Sequence, residues 1–243
     1  MRLRRTAALA LALLPGLVAA PAAGAAAGAA AGATGRALFG ESCSSCHGED
    51  GAGIRGRGPS LKNAAAWRAD FYLRTGRMPL DDPDDQPRRT EPGYDAPQIR
   101  ALAAYVATLG TSSPPPHATP ADGSLSEGMH LFTVNCSGCH QVVAQGGAVT
   151  GGRVPDLQHA SARDIAQAVR IGPYLMPPFN ERQIDQRDLD SIARYVLWTR
   201  HPEDAGGWSI GHLGPIPEGI VTWVVGMALL VAAARLIGKR TSP

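Results

Sequence analysis

The sequence predicts an all-α protein with two small tandem domains, followed by one C-terminal transmembrane helix. The pattern Cys-x-x-Cys-His occurs twice, at Cys43 and again 93 residues later at Cys136, and the sequence around the two copies repeats. Apolar residues in both repeats recur at helical spacing, and no alternating β pattern of useful length accompanies them. The last apolar run, Ile216 to Gly238, has about the length that a helix needs to cross a bilayer.

Residues 1–30 are predicted to be a signal peptide and an Ala/Gly-rich segment. The chain starts with arginines, continues with an Ala/Leu run and then turns to small residues, which is typical of an export signal. A retained N-terminal anchor is the alternative, and Pro15 together with the short apolar run favours cleavage. The rest of the protein is therefore expected outside the cytoplasm.

Two segments rich in Pro, Gly and Ser divide the exported part. A linker at 111–124 and a tether at 201–215 leave one domain at 34–110 and a second at 125–200. Consecutive prolines in the linker favour extended, semi-rigid geometry. We expect two separate small domains on one chain.

Each domain repeats the same features in the same order. Leu-Phe precedes Cys-x-x-Cys-His, and a Gly-rich loop ending in Pro-x-Leu follows it. A helical stretch, Met-Pro and a closing amphipathic helix complete each repeat. The apolar positions of the closing helices are Ile99, Leu102, Tyr105 and Val106, then Leu189, Ile192, Tyr195 and Val196. Domains this small bury little surface, so a bound cofactor is expected to complete each core.

Three chemistries fit Cys-x-x-Cys-His: a zinc site, a redox dithiol and an attachment site for haem. A zinc site with four thiolates would need both cysteine pairs, and these are 93 residues apart, far beyond the usual spacing within a zinc module. Zinc also does not explain the histidine that follows each pair. A redox dithiol normally lies in a βαβ setting, which is not predicted here. Haem c attachment uses both thiols and the adjacent histidine. The sequence therefore favours two covalently bound haem c groups, at Cys43 and Cys46 and at Cys136 and Cys139, with His47 and His140 as axial ligands of the iron.

Two methionines are the candidates for the second axial ligands. Met78 and Met176 occupy equivalent places, and each precedes a proline. The first domain contains no histidine except His47, whereas His159 is a rival to Met176 in the second domain. Methionine–histidine ligation raises the potential of the iron, and with both axial positions filled it favours electron transfer over catalysis at the haem.

Two prolines follow the haem motifs at similar distances. Pro59 and Pro155 each begin a Pro-x-Leu sequence. Their carbonyl groups are candidates to accept a hydrogen bond from the ligating histidine and so to fix its ring. Ordinary loop prolines are the alternative, and the sequence does not decide between the two.

The C-terminal segment at 216–238 is predicted to anchor the protein in the cell membrane. It carries no charge between Gly219 and Ala234, and Trp223 lies where an interfacial aromatic residue is expected. Basic residues follow at once, so the positive-inside rule places the tail at 239–243 in the cytoplasm. The haem domains would then be extracytoplasmic, which agrees with the predicted signal peptide.

The charge balance gives no sign of a nucleic-acid partner. Lys and Arg total 23 and Asp and Glu total 21, for a formal net charge of +2. Because the exported part is mildly acidic, a basic nucleic-acid footprint is not expected. The basic residues concentrated at the two ends are Arg2, Arg4, Arg5, Arg235, Lys239 and Arg240.

Each repeat resembles a class I cytochrome c domain in its Cys-x-x-Cys-His, Pro-x-Leu, Met-Pro and closing helix with Tyr-Val. The order of the segments restricts the choice of family further than these motifs do: a signal peptide, two such domains, and an anchor followed by basic residues. Together with RGPSLKN and TGRMPL, it resembles the dihaem cytochrome c subunit of the actinobacterial cytochrome bc complex. The resemblance covers about Leu38 to Arg240.

The resemblance implies that the chain is an electron carrier within a menaquinol–cytochrome c reductase, beside cytochrome b and Rieske iron–sulfur subunits. The first haem would accept electrons from the Rieske protein, and the second would pass them to a haem–copper terminal oxidase. One alternative is the cytochrome subunit of a membrane-bound dehydrogenase. Another is a dihaem peroxidase, which would need an open or displaceable ligand at one haem.

Overall fold

The computed structural model describes residues 34–110, 113–202 and 215–240. The predicted signal peptide and Ala/Gly-rich segment at 1–30 lie outside the described residues, as do residues 111–112 of the linker, 203–214 of the tether and 241–243 of the tail. The chain divides into two compact units at Arg200, with both repeats in the first unit and the C-terminal helix in the second.

The first repeat contains four helices within the described residues. Helix α1 covers 34–42, α2 spans Ser44–His47, α3 spans Ala66–Arg74 and α4 spans Ala96–Leu109. Helix α4 begins with a capping box, in which Asp95 accepts a 2.8 Å hydrogen bond from the backbone N–H of Gln98. The Gln98 side chain accepts in return from the Asp95 N–H. This reciprocal cap satisfies backbone donors at the start of the helix that have no partner within it.

The second repeat follows the same order. A 3₁₀ turn at Pro120–Asp122 precedes α5 at Leu125–Asn135, α6 at Ser137–His140, α7 at Ala162–Ile171 and α8 at Gln186–Trp198. Capping boxes open α7 at Ser161 and α8 at Asp185. The predicted all-α class is confirmed.

A short β-hairpin in the second repeat departs from the sequence prediction. Strands β1 (Gly147–Val149) and β2 (Gly152–Val154) pair antiparallel, with Val149 opposite Gly152. Three residues a strand are too few to produce a recognisable alternating pattern, and glycines begin both strands. The hairpin lies in the loop between Cys-x-x-Cys-His and Pro155.

Equivalent helices cross closely in the two repeats. A Cβ atom on Gly35 would lie 2.0 Å from the Ala101 carbonyl oxygen, and one on Gly128 would lie 1.9 Å from that of Ser191. Glycine is therefore required where α1 crosses α4 and where α5 crosses α8. Aromatic pairs lie beside the crossings, with ring centroids 5.1 Å apart for Phe39–Tyr105 and 5.4 Å apart for Phe132–Tyr195. The two tyrosines thus pack the helices together.

Each repeat has its own hydrophobic core, and a third cluster joins them. Phe39 and Leu102 lie in the first core, whereas Phe132 and Ile192 lie in the second. The third cluster contains Ala65, Trp67 and Phe71 from the first repeat, with Ile171 from the second. Helices α3 and α7, which follow Pro-x-Leu in their respective repeats, therefore pack against each other and fix the two domains as one unit.

Helix α9 spans Pro215–Arg240 and forms the second unit. Its stretch from Gly219 to Gly238 is long and apolar enough to cross a membrane. The large apolar side chains described along it are exposed within the unit, including Trp223 and Leu229. An exposed apolar helix of this length fits a membrane anchor.

Candidate haem sites

The four residues predicted for the second haem surround one cavity. Cys136, Cys139, His140 and Met176 all line it, and its volume including the open mouth is about 1080 Å³. The remaining lining is mainly apolar and comes from both repeats. The apolar lining includes Phe71, Phe132, Leu157, Ile165, Val169, Phe179, Ile192 and Val196.

His140 is held in a form suited to metal binding. It is the last residue of α6 and only 8% exposed, and its Nδ1 lies 3.3 Å from the carbonyl oxygen of Pro155. Burial lowers the pKa of its imidazole, an effect that the Pro155 contact partly opposes. A neutral ring that donates from Nδ1 to a carbonyl leaves Nε2 as a free donor atom for a metal.

The first repeat reproduces this arrangement around His47. Its Nδ1 lies 2.8 Å from the carbonyl oxygen of Pro59, so the expected contact between histidine and proline carbonyl is present in both repeats. Cys43 and Met78 pack against the same hydrophobic core as Leu61. The structure thus brings the second-ligand candidate to the core that the haem motif borders.

The buried thiols of Cys43 and Cys136 lack the lowered pKa that is typical of a redox-active cysteine. All four cysteines are unpaired. Burial, and then the neighbouring Cys46, raises the pKa of the Cys43 thiol to about 11, and burial followed by Cys139 raises that of Cys136 to about 12. Redox-active and metal-binding cysteines have lowered pKa values that favour the thiolate. Among the described residues, no group of three or more His, Cys, Asp or Glu side chains is arranged to hold a metal ion.

Met176 and His159, the two candidates for the second ligand in the second repeat, differ in their position relative to the cavity. Met176 packs against the second core and lines the cavity with His140. His159 is exposed and is not among the residues that line this cavity; it lines an adjoining pocket, which shares Arg89 and Arg153 with the cavity. The geometry therefore favours Met176 as the second ligand candidate.

Sequence reasoning missed three arginines that line the second cavity. Arg77 and Arg89 come from the first repeat, whereas Arg153 comes from β2. Burial and the nearby Arg89 lower the pKa of Arg77 to about 10. The only hint in the sequence is that Arg77 directly precedes Met78, and that position alone does not show which cavity the side chain faces.

These features fit a haem c group. An apolar cavity lined by two thiols, an imidazole and a thioether matches the covalent and axial requirements of that cofactor. The cations at the cavity wall match its two propionate carboxylates. The fold and these sites define the class of protein, a c-type cytochrome with tandem domains.

Comparison with known proteins agrees with this class and narrows it. Residues 32–110 match the family model for cytochrome c, and residues 123–196 match that for cytochrome C oxidase, cbb3-type, subunit III. Cytochrome c domains carry covalently bound haem c.

Full-length similarity then identifies the family. A relative from Corynebacterium diphtheriae, named cytochrome bc1 complex cytochrome c subunit, is 34% identical over 99% of this chain and 96% of its own length. Proteins of the same name from Mycobacterium tuberculosis and Mycobacterium leprae are 36% and 37% identical, over 86% and 85% of this chain and 78% and 75% of their own lengths. The chain belongs to the family of cytochrome bc1 complex cytochrome c subunits, which confirms the resemblance found in the sequence.

Proposed function

We propose that this chain binds two haem c groups and relays single electrons from a Rieske iron–sulfur protein to a haem–copper terminal oxidase. The observation that carries the proposal is that Cys136, Cys139, His140 and Met176 line one cavity. The equivalent residues of the first repeat, Cys43, Cys46, His47 and Met78, form the other proposed site. Haem iron supplies the chemistry, because it gains or loses one electron at a time.

The residues of the chain have distinct roles in this relay. The two thiols of each motif hold the haem covalently, and the proline carbonyl keeps the histidine ring oriented by accepting from Nδ1. The methionine thioether would be the second protein ligand of a bound haem, and it would then exclude water and small ligands from the iron. An iron with protein ligands on both faces of the haem supports electron transfer. It disfavours a peroxidase, which needs an open or displaceable ligand.

The packing of the domains supports a fixed relay. Helices α3 and α7 hold the two repeats together, and the second cavity is lined by Phe71 and Thr75 of the first repeat. Electrons would therefore pass between two sites within one rigid unit. The family supports a place beside cytochrome b and Rieske subunits in a quinol–cytochrome c reductase.

We further propose that α9 anchors the chain in the cell membrane with the haem domains extracytoplasmic. A chain that ends after residue 202 should lose its attachment to membranes and remain a haem protein. Deletion of 241–243 alone, as a control, should leave attachment unchanged. Labelling of intact cells with an impermeant reagent should modify the haem domains and spare a tag at the C-terminus. Labelling of that tag would contradict the orientation.

Haem content and partners test the central proposal. The full chain, tagged and purified in mild detergent, should contain two haems by the pyridine haemochrome assay. Replacing Cys136 and Cys139 by alanine should leave one haem, as should replacing Cys43 and Cys46. Rieske, cytochrome b and oxidase subunits should co-purify with the unmodified chain. Bound zinc without haem would overturn the binding sites, and a flavoprotein or quinoprotein dehydrogenase as the partner would overturn the assigned complex.

A further inference from the structure

Arg77 is a buried cation whose guanidinium has two donors without hydrogen-bond partners among the described residues. It follows α3 in the first repeat and is only 7% exposed. Neither Nε nor Nη1 of its guanidinium has a hydrogen-bond partner within the described residues. Its Cζ lies 5.2 Å from the ring centroid of Phe71, which covers one side of the group. A buried charge is costly unless an anion and hydrogen bonds compensate it, so this site lacks an anion.

The position of Arg77 shows where that anion would be. The side chain lines the cavity of the second repeat, together with Thr75 and Arg89 of the first. The same cavity is bordered by Cys139 and His140. Arg77 therefore faces the haem site of the neighbouring domain, although it precedes the proposed ligand Met78 of its own domain.

Within the described part of the chain, no carboxylate forms a hydrogen bond or ion pair with Arg77. Asp164 is the one acidic residue in the cavity lining. It is already paired with Arg74 and also caps α7 through the N–H of Ser161. Arg153 adds a further cation to the lining. A cavity with several guanidinium groups and a single engaged carboxylate is suited to an anionic occupant.

We propose that Arg77 binds a propionate of the haem held by the second domain, so that the first domain completes the second haem site. This inference rests on the proposed haem in that domain. A guanidinium forms charge-assisted hydrogen bonds to carboxylates, and the free Nε and Nη1 donors are available to the propionate groups of this haem. The arginine also places a fixed positive charge beside the second haem. That charge disfavours the ferric state, which carries one more positive charge, and so raises the reduction potential of this haem.

The test is a redox titration of the full chain in detergent, with Arg77→Gln as the main variant. The titration should show two reduction steps (waves), one for each haem. Met78→His and Met176→His assign them, because each variant is expected to lower the midpoint potential of its own haem. We expect Arg77→Gln to lower the midpoint potential of the same haem that Met176→His affects. The expected shift is about tenfold in the reduction equilibrium constant, or about 59 mV for one electron. Arg77→Lys, which keeps the charge, should shift it less.

The matched control is Arg68→Gln, which removes the same charge from an exposed position on α3. It should move neither wave. No shift in Arg77→Gln, a shift confined to the wave of the first haem, or a Lys variant that shifts as far as the Gln variant would overturn the inference.

Haem content separates this inference from the function on which it rests. A wild-type chain without haem contradicts the proposed function, whereas two haems with unaltered midpoints in Arg77→Gln contradict only the role of Arg77. Should Arg77→Gln lose haem, mass spectrometry of the haem peptides locates the loss. Loss confined to the Cys136–Cys139 peptide supports the inference, and loss from the first domain or from both domains overturns it.

Discussion

Arg74, the last residue of α3, forms an ion pair with Asp164 in the first turn of α7, and this pair links the two repeats. The Asp164 side chain is 9% exposed and that of Arg74 is 27% exposed. Arg74 also donates a 2.9 Å hydrogen bond to Oε1 of Gln167, while Arg163 of α7 lies 2.7 Å from Asp70 of α3. The end of α3 thus meets the start of α7, and polar groups fix the register that the apolar cluster alone would leave adjustable.

Replacing Arg74 by methionine is expected to weaken the association of the two repeats. The change leaves Asp164 mostly buried without its cation, and we expect a loss of about 1–3 kcal/mol in the free energy of unfolding. Guanidinium-induced unfolding followed by circular dichroism measures it. Lys62→Met is the control, since Lys62 pairs with Asp50 at the surface, where such pairs contribute little to stability. Equal effects of the two variants would contradict an interdomain role for Arg74.

The same pair predicts how stability depends on pH. Burial alone would raise the pKa of the Asp164 carboxyl, but the bonds from Arg74 and Ser161 outweigh burial and lower it. A carboxyl with a lowered pKa in the folded state stabilises the protein above its unfolded pKa, about 3.9, and loses that contribution as the pH falls through the folded value. The stability difference between wild type and Asp164→Asn should therefore be constant near neutral pH and shrink below about pH 4. A difference that grows on acidification would contradict the assignment.

The crossing of α1 and α4 should not tolerate a single added methyl group. In Gly35→Ala the new Cβ would lie 2.0 Å from the Ala101 carbonyl oxygen, so the helices must separate. We expect a loss of about 1–3 kcal/mol, typical of overpacking. Gly40→Ala on the same helix meets nothing within 4 Å and should be neutral or stabilise by up to about 1 kcal/mol through helix propensity. Thermal unfolding compares the two variants, and a neutral Gly35→Ala would disprove the close crossing.

Met176 is expected to control the axial ligation of the second haem. Met176→Leu removes the thioether, so the weak red absorption of ferric methionine-ligated haem should fall by about half and the second site should bind cyanide or carbon monoxide. Met129→Leu is the control, because Met129 lies half exposed on α5 and contacts neither proposed site. An unaltered red band in Met176→Leu, with binding of cyanide or carbon monoxide gained in His159→Leu, would assign the ligand to His159 instead.

Local features of the sequence predicted much of the fold and the candidate ligands. The helices follow from apolar spacing, and the capping residues Asp95, Ser161 and Asp185 begin three of them. In Cys-x-x-Cys-His, two thiols and a histidine must all reach one haem. This requirement fixes their spacing, so a short stretch of chain specifies it. Signals of this kind depend on neighbours within a few residues, and for that reason they are visible in a single sequence.

Other features depend on contacts between distant parts of the chain. The sequence did not predict that Gly35 and Gly128 lie at helix crossings, or that β1 and β2 form a hairpin. It also left open whether Pro59 and Pro155 contact the histidines, which the structure decided through the distances from Nδ1 to the carbonyl oxygens.

The sequence by itself determined that this chain has two cytochrome c domains and an apolar C-terminal helix. Only the tertiary structure decided that α3 packs on α7 and that Arg77 faces the cavity of the neighbouring domain. The reason is physical. An arginine beside a methionine has the same local sequence whichever way it points. The cavity that Arg77 faces depends on how α3 packs on α7, where Arg74 contacts Asp164 and Gln167 about 90 positions away.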